Sequence, residues 1–595
     1  MAVGLASATT SGAEEGPLGP GDFTPLATGG FTDIVDGDAG LVPSGIGNEF
    51  QVFAWSMAYY DGALFVGTGT IPRSSALTTS PPEVLERWRA EIWRYDFGGA
   101  DGSEGHWTRV YRSPLVPLFG ILPSLPKDFG YRAMTVCDGR LFVTTNGIAP
   151  RILFSADGET FGQVNLTGLP TDQLGYRALE CLDGTLVTSP IGTSTNPDIA
   201  PTPPLVFANA DPLTRPWVQI NDPGFGDDAN QAIFSMTTWD RDGDGDAETL
   251  VASTVNNTTG AQVWVNERPC ALLTCAGAEN RWEKLISAGA GRPFEPPWVR
   301  SGDWGPHNAG AGWMTEYQGD VWIGFSSAAS SGDGVGLGEI VRLHPDGTWE
   351  LVTGMSRSPW PGYNTPADFS DLGAIGGSAS SYAAIDLDAG IAATTFFTAG
   401  PETSVPYPLQ GNSCDPAADT ADPACSPSGD RGVGMSDVPS PAQAPPGFSE
   451  GAYNTRVLQL YTELNAIDGV DLAVPSPIEA DWDAIHPLVR EWIGFERLQA
   501  SATTGYIWQM TEHDGLLYVS GLDRATPPDG FDIVATAGGQ SPSFVDVMTT
   551  GFDNTLNAGG RTMVSTDFGL AVGTLNLAAF RGLTGDAGAE VWLGG

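Results

Sequence analysis

An all-β fold is what the sequence predicts, from three observations. Two short strand-like runs around a tight Asp-Gly or Gly turn recur along the whole chain, Gly and Pro are abundant (78 and 46 of 595 residues), and long helical periodicity is almost absent. The clearest copies are GYRAMTVCDGRLFVTTNG (130–147) and GYRALECLDGTLVTSPIG (175–192), with the same Gly-Tyr-Arg opening and central Asp-Gly. Weaker copies read FAWSMAYYDGALFVGTGT (53–70), GWMTEYQGDVWIGFSS (312–327), YIWQMTEHDGLLYVSGL (506–522) and RTMVSTDFGLAVGTL (561–575). A repeat spread so widely argues for one large repetitive domain, and 41% hydrophobic residues supply its core.

Taken in order, residues 1–22 are a loose, low-complexity segment, and FTPLATGGF (23–31) reads as a lone strand. The first hairpin is followed by a short helical insert, PPEVLERWRAEI (81–92), and a third strand, EIWRYDF (91–97). Counterparts of that strand are RILFSAD (151–157), PLVFANA (204–210), AQVWVNE (261–267), EIVRLHP (339–345), TRVLQLYT (455–462), FDIVATA (531–537) and AEVWLGG (589–595). Degenerate hairpins at 231–254 and 381–397 bring the hairpins to the same number. Fourth strands such as HWTRVY, TFGQVN and PWVQIN complete each unit as a four-stranded antiparallel sheet. Sheets of this kind lose their exposed edges when repeated radially, so the expectation is a single β-propeller over 23–595. Eight blades are favoured, or seven if 381–462 is an insertion. The chain stops after a third strand, so the N-terminal strand is expected to close the ring. A loop and helix insertion is expected at about 400–500: 400–450 is rich in Pro, Ser and Asp, and 476–498 opens with a capping-box pattern at Ser476, Pro477 and Glu479.

LFSADGETF (153–161) and RLHPDGTWEL (342–351) resemble shortened Asp-boxes, keeping Asp157-Gly158 with Phe161 and Asp346-Gly347 with Trp349. Asp-boxes turn the third strand into the fourth in the sialidase-like (BNR-type) propellers, and the chain is similar to that superfamily over most of its repeats. The resemblance implies architecture and no particular reaction. Sialidase activity itself is disfavoured, because the Arg-Ile-Pro motif is missing: residues 71–73 read Ile-Pro-Arg.

The chain carries 71 acidic residues against 27 basic ones, a formal charge of −44, and all but two of the basic residues are arginines. Such a surface repels nucleic acid and anionic membranes and favours solubility in a salty medium. No run of 18 apolar residues exists, so no spanning helix is expected. Cys270/Cys275 and Cys414/Cys425 each bracket a short loop and suit local disulfides in an exported protein, while Cys137 and Cys181 sit one place out of register with each other. No CxxC pair points to zinc. The polar N-terminus is expected to be that of a mature extracellular protein whose export signal is absent, acting as a monomer.

In a propeller the first strand of each blade lines the central channel. Arg132 and Arg177 occupy equivalent places in adjacent repeats, and Arg561 lies near that place in the last one. Three guanidinium forks converging there would suit a carboxylate or sulfate. The alternative is that each pairs with a carboxylate of its own blade, such as Asp128 or Asp172. Asn230, Asn308 and Tyr506 are further candidate substrate contacts. His307, Tyr131 or Tyr176 beside an arginine would suit a polysaccharide lyase, with the base removing the C5 proton of a uronate. Glu49 with Asp227 or Asp228 would suit a two-carboxylate glycoside hydrolase. The functional expectation is therefore a secreted propeller acting on or binding an anionic carbohydrate, as lyase or hydrolase. The alternative is a non-catalytic propeller that binds a ligand or protein.

In the fourth hairpin the usual turn is replaced by Asp240-Arg241-Asp242-Gly243-Asp244-Gly245-Asp246-Ala247-Glu248. Alternating carboxylates and glycines can wrap oxygen ligands around Ca²⁺, and the spacing resembles the calcium loops of EF-hands and integrin-type propellers. Asp240, Asp242, Asp244, Asp246 and Glu248 are the expected ligands, with the ion in a structural role.

Overall fold

The computed structural model of the chain describes residues 16–28, 51–70, 86–99, 101–102, 104–116, 125–191, 203–256, 261–267, 269, 281–286, 308–327, 340–347, 349–353, 504–523, 530–539, 542, 544–577 and 588–595, and among these described residues lie seven four-stranded antiparallel sheets. After β1 (Phe23–Ala27), the first sheet holds β2 (Phe53–Tyr60), β3 (Ala63–Gly69), β4 (Glu91–Asp96) and β5 (His106–Arg112). A small ribbon, β6 (Leu115–Val116) with β7 (Leu125–Pro126), leads to the second sheet: β8 (Asp128–Cys137), β9 (Arg140–Gly147), β10 (Ile152–Ser155) and β11 (Gly162–Gln163). The third holds β12 (Tyr176–Leu182), β13 (Thr185–Pro190), β14 (Phe207–Asn209) and β15 (Val218–Gln219). The fourth holds β16 (Ala232–Trp239), β17 (Thr249–Val255), β18 (Val263–Asn266) and β19 (Glu283–Ile286). The fifth holds β20 (Asn308–Tyr317), β21 (Asp320–Ser327), β22 (Ile340–Leu343) and β23 (Trp349–Thr353). The sixth holds β24 (Thr504–His513), β25 (Leu516–Asp523), β26 (Ile533–Thr536) and β27 (Val545–Met548). The seventh holds β28 (Asn557–Thr566), β29 (Gly569–Asn576) and β30 (Val591–Gly594), with β1 as its fourth strand, Phe23 opposite Gly594 and Thr24 opposite Leu593.

The first strands of successive sheets touch one another in order from β2 to β28, and β28 touches β2. Bridges at their ends join neighbours, among them Gly69 to Gly130, Ser326 to Tyr506 and Phe53 to Leu575. This is the propeller arrangement. The bridge at Ser326 joins the fifth sheet directly to the sixth. The hairpin predicted at 381–397, the strand at 455–462 and the helix at 476–498 lie outside the described residues, as do Cys270, Cys275, Cys414 and Cys425. Among the described residues no helix is long and apolar enough to cross a membrane.

The Asp-Gly turns have a specific job. Asp61 and Gly62 have φ of 50° and 75°, and Asp138 and Gly139 have φ of 47° and 67°. Two successive positive φ values match a two-residue hairpin to the right-handed twist of its strands, and Asp tolerates the first better than most residues. The Asp-box reading also holds locally in the second sheet. There Asp157 accepts bonds from the Thr160 hydroxyl and from the N–H groups of Glu159 and Thr160, which hold its carboxyl below the ordinary range.

Each sheet buries its faces against its neighbours, and seven apolar clusters fill the seven junctions. Trp93, Val66 and Val591 pack between the first and seventh sheets, and Trp239, Val251 and Ile323 between the fourth and fifth. Every first strand sends one flexible apolar residue into the junction behind it: Met57, Met134, Leu179, Met236, Met314, Met510 and Met563. Unbranched Met can fill wedge-shaped gaps of unequal size.

A polar latch recurs in three blades. Glu91, Gln262 and Glu590 open a third strand, donate their N–H to Thr68, Thr254 and Thr574, and accept from the indoles of Trp93, Trp264 and Trp592. Burial pushes the Glu91 carboxyl up, and Arg109 and Arg112 oppose that shift.

Cys137 and Cys181 form a disulfide, with Cα atoms 5.3 Å apart. They lie on the first strands of neighbouring sheets, β8 and β12, and so tie the second blade to the third. Replacing both with Ala should lower the free energy of unfolding by about 2–4 kcal/mol, given the loop they close, and shift the denaturant midpoint down. An unchanged midpoint would show that the junction clusters alone hold these two blades.

Candidate functional site

Every first strand has a break of register with its partner at the same place in the repeat, and four of them have a second break nearer the strand's start. The shared breaks fall between Ala54 and Ser56, Tyr131 and Met134, Tyr176 and Ala178, Ile233 and Met236, Ala311 and Trp313, Ile507 and Gln509, and Gly560 and Thr562. Such bulges re-aim a side chain. The residues at the break are Trp55, Arg132, Arg177, Phe234, Gly312, Trp508 and Arg561, and all but Gly312 and Trp508 line one cavity that opens to solvent.

The three predicted arginines therefore meet in one layer. Each guanidinium lies over an aromatic ring of an adjacent sheet: Arg132 over Trp55 at 5.5 Å and Arg561 over Trp508 at 5.1 Å, both on the preceding sheet, and Arg177 over Phe234 at 3.8 Å on the following one. Arg177 Nε also donates to the Phe234 carbonyl at 2.9 Å. These contacts fix the flat face of each fork, while its N–H donors lie in the plane. The glycine two places before the arginine has a packing reason. A Cβ on Gly130 would fall 2.2 Å from the Trp55 ring, and one on Gly559 would fall 2.4 Å from the Trp508 ring. Asp128, a possible arginine partner by sequence, instead pairs with Arg151 and accepts from Tyr131.

Glu180 is the one carboxylate among the described residues lining the cavity. Its side chain meets the water-accessible channel but is ringed by protein, and burial pushes its carboxyl up to about 8. The repeat comparison contained its signal, unread: Ala58, Thr135, Thr237, Thr315, Thr511 and Val564 stand where this repeat has Glu. Trp313 is a second cavity residue that the sequence reading passed over.

Other candidates are placed elsewhere. Tyr131 and Tyr176 are fully buried outside the cavity lining, donating to Asp128 at 3.3 Å and to the Pro170 carbonyl at 3.0 Å. Burial raises both phenols. Asn230 is buried in the fourth blade's latch, donating to Gly224 and to Gln262, whose amide in turn donates to Asp227 at 2.6 Å. Asp228 is exposed. Asn308 and Tyr506 are placed by their backbone in β20 and β24, and Glu49 and His307 lie outside the described residues.

In the acidic loop, Asp240, Asp242, Asp244 and Glu248 each bring a ligand oxygen within 4.8 Å of the others, a group that could hold a metal ion. Asp246 is not part of that group; its N–H donates to Asp244 Oδ1. Asp240 accepts from the N–H groups of Gly243, Asp244 and Gly245, which wraps the loop around its carboxylate. Glu248 Oε2 is shielded from solvent with no hydrogen-bond partner, as a ligand oxygen would be. Arg241 turns outward to the Pro345 carbonyl and Glu267.

No known protein family matches the sequence, and no curated protein matches it. Among solved structures, the chain is similar to a sialidase from Trypanosoma rangeli (12% identity, 50% of this chain and 43% of that one, TM-score 0.28). It is also similar to a family 74 xyloglucanase from Xanthomonas campestris (13% identity, 57% and 40%, TM-score 0.29). A third is a family 43 arabinoxylan arabinofuranohydrolase from Bacillus subtilis, solved with cellotetraose (11% identity, 53% and 71%, TM-score 0.28). Likeness of this degree assigns no activity to the chain.

Proposed function

We propose that this chain is an exported seven-bladed propeller, completed by its own N-terminal strand, whose central channel takes the acid group of an anionic carbohydrate. The carrying observation is the convergence of Arg132, Arg177 and Arg561 on one cavity in a chain of formal charge −44. Cations gathered in a confined site repel one another and lose hydration, and a bound anion offsets both effects. The Cys137–Cys181 disulfide suits an oxidising, extracellular setting.

Glu180 supports a reaction. Hydrolysis by paired carboxylates needs a second acid, and Glu180 is alone among the described cavity residues. One acid beside arginines suits β-elimination from a uronate. The arginines neutralise the uronate carboxylate, so the C5 proton becomes acidic, and the Glu180 carboxylate takes it. The electron pair forms the C4–C5 double bond as the C4–O bond breaks, and the departing alcohol takes a proton.

The acidic loop of the fourth blade holds calcium as a structural ion. Its oxygen-only donors suit a hard cation, and the carboxylates would otherwise repel one another.

Three outcomes test these readings. Arg132→Ala or Arg177→Ala should weaken binding of an oligouronate by roughly tenfold to a hundredfold in calorimetry, the loss of a charged hydrogen bond. Wild-type protein that binds no uronate sinks the anion site, and one that binds but releases no ultraviolet-absorbing unsaturated product is a binding propeller instead. For Glu180, the folded state holds the proton from about pH 4.5 to about 8 while the unfolded state has released it. Wild-type stability should therefore fall as pH rises through that window more than that of Glu180→Gln, and lyase activity should rise towards pH 8. Thirdly, chelator should lower the melting temperature of wild type by the equivalent of about 3 kcal/mol at saturating calcium, and leave Asp240→Asn/Asp244→Asn unmoved. A wild-type melt indifferent to chelator rules the ion out.

A further inference from the structure

The cavity has two unlike sides. Going round the ring, the arginines come from the second, third and seventh sheets, whereas the fourth, fifth and sixth contribute Phe234, Trp313 and Gln509, with Trp508 just behind the wall. Phe234 and Trp508 are covered by the arginines stacked on them. Trp313 is placed differently. In six sheets the residue at the register break is bulky and the next one is small or slender: Ser56, Ala133, Ala178, Ser235, Gln509 and Thr562. The fifth sheet reverses this order, with Gly312 at the break and Trp313 after it.

The reversal has a steric basis. A Cβ at Gly312 would lie 3.0 Å from the Ile507 carbonyl and 3.4 Å from the Phe234 ring, so a bulky group there would crowd both neighbours. Successive strand residues point to different sides, so moving the indole one place along gives it a direction in which no other described blade sends an aromatic ring. Trp313 packs against the apolar cluster between the fifth and sixth sheets, which steadies it. It stays only half-buried, while the six bulky residues at the breaks are 0–5% exposed. A steadied indole that keeps apolar surface towards a wet channel, where six equivalent positions need none, is not explained by packing.

We infer that Trp313 is a platform for the C–H face of a sugar ring whose acid group is held on the arginine side, so that the channel selects cyclic uronides over acyclic anions. The inference rests on the anionic-carbohydrate reading and names its specificity residue. Polarised C–H bonds on one face of a pyranose meet the negative face of the indole, and a rigid aromatic presents that surface with little loss of side-chain freedom.

The experiment compares two probes, trigalacturonate and citrate, by calorimetry on the full chain, with melting curves to confirm folding. Trp313→Ala should weaken trigalacturonate by about tenfold or more and leave citrate within about twofold. Trp313→Phe should keep most of the trigalacturonate affinity, and Trp313→Leu, which preserves bulk without a π face, should lose it. Arg132→Ala should weaken both probes. If Leu binds trigalacturonate as well as Phe, or if Trp313→Ala loses both probes equally, the platform is overturned and the arginine site stands. Wild-type protein that binds neither probe overturns the arginine site and this inference together.

Discussion

Burial of each sheet against the next is the constraint on which everything else depends. A four-stranded sheet has two apolar faces and cannot hide either by itself, so each junction cluster stabilises two blades at once. The circuit is continuous because the cluster holding Trp93 and Val591 joins the first sheet to the seventh. The methionine behind six of the seven first strands, with Leu179 behind the third, adapts this packing to sheets of unequal size. Once the ring is set, first strands from all round it must face a common axis, and a site assembled from distant parts of the sequence follows.

The break of register on each first strand converts that geometry into chemistry. Regular alternation would send the residues of this layer into junctions or across the axis at fixed heights. The bulge lets a long side chain turn along the wall of the channel, where arginine and aromatic groups of adjacent sheets stack. The fold thus presents an interchangeable ring of positions, and the identities at those positions set the charge and shape of the channel wall. Turn chemistry, junction packing and latches do not depend on those identities, so channel residues can vary without dismantling the blades.

Much of this was legible in the sequence because a repeat carries its own comparison. Asp138-Gly139 and its copies announced hairpins, and Arg132 and Arg177, equivalent in their repeats, line the same cavity. The site was harder to read where the signal was a difference between repeats. Glu180 was visible only as a departure from Thr and Ala at the same place, and Trp313 only as a reversed order with Gly312. Tyr131 and Tyr176 were misread as channel residues because they adjoin the arginines. Alternation sends them to the other side of the strand, into buried bonds to Asp128 and Pro170. Asn230 and Asp227 look like loop polar groups, and only the third strand's Gln262, distant in sequence, shows them to be fastenings. The spacing of Cys137 and Cys181 read as a mismatch because two blades are related by rotation, not by superposition along one strand.

The pairing of β1 with β30 sets an order of events on the ribosome. Phe23–Ala27 is synthesised before the other strands of these sheets, and its partner strand, Val591–Gly594, after all of them. Throughout elongation that early segment carries an unmatched row of backbone donors and acceptors, while the growing arc of sheets ends in an apolar face with nothing to cover it. Joining strands so distant in sequence is an entropically slow step, and it is left until the rest of the blades are in place. The chain is therefore most exposed to self-association just before that pairing forms, when a strand from another molecule would fit the vacant edge as well as its own.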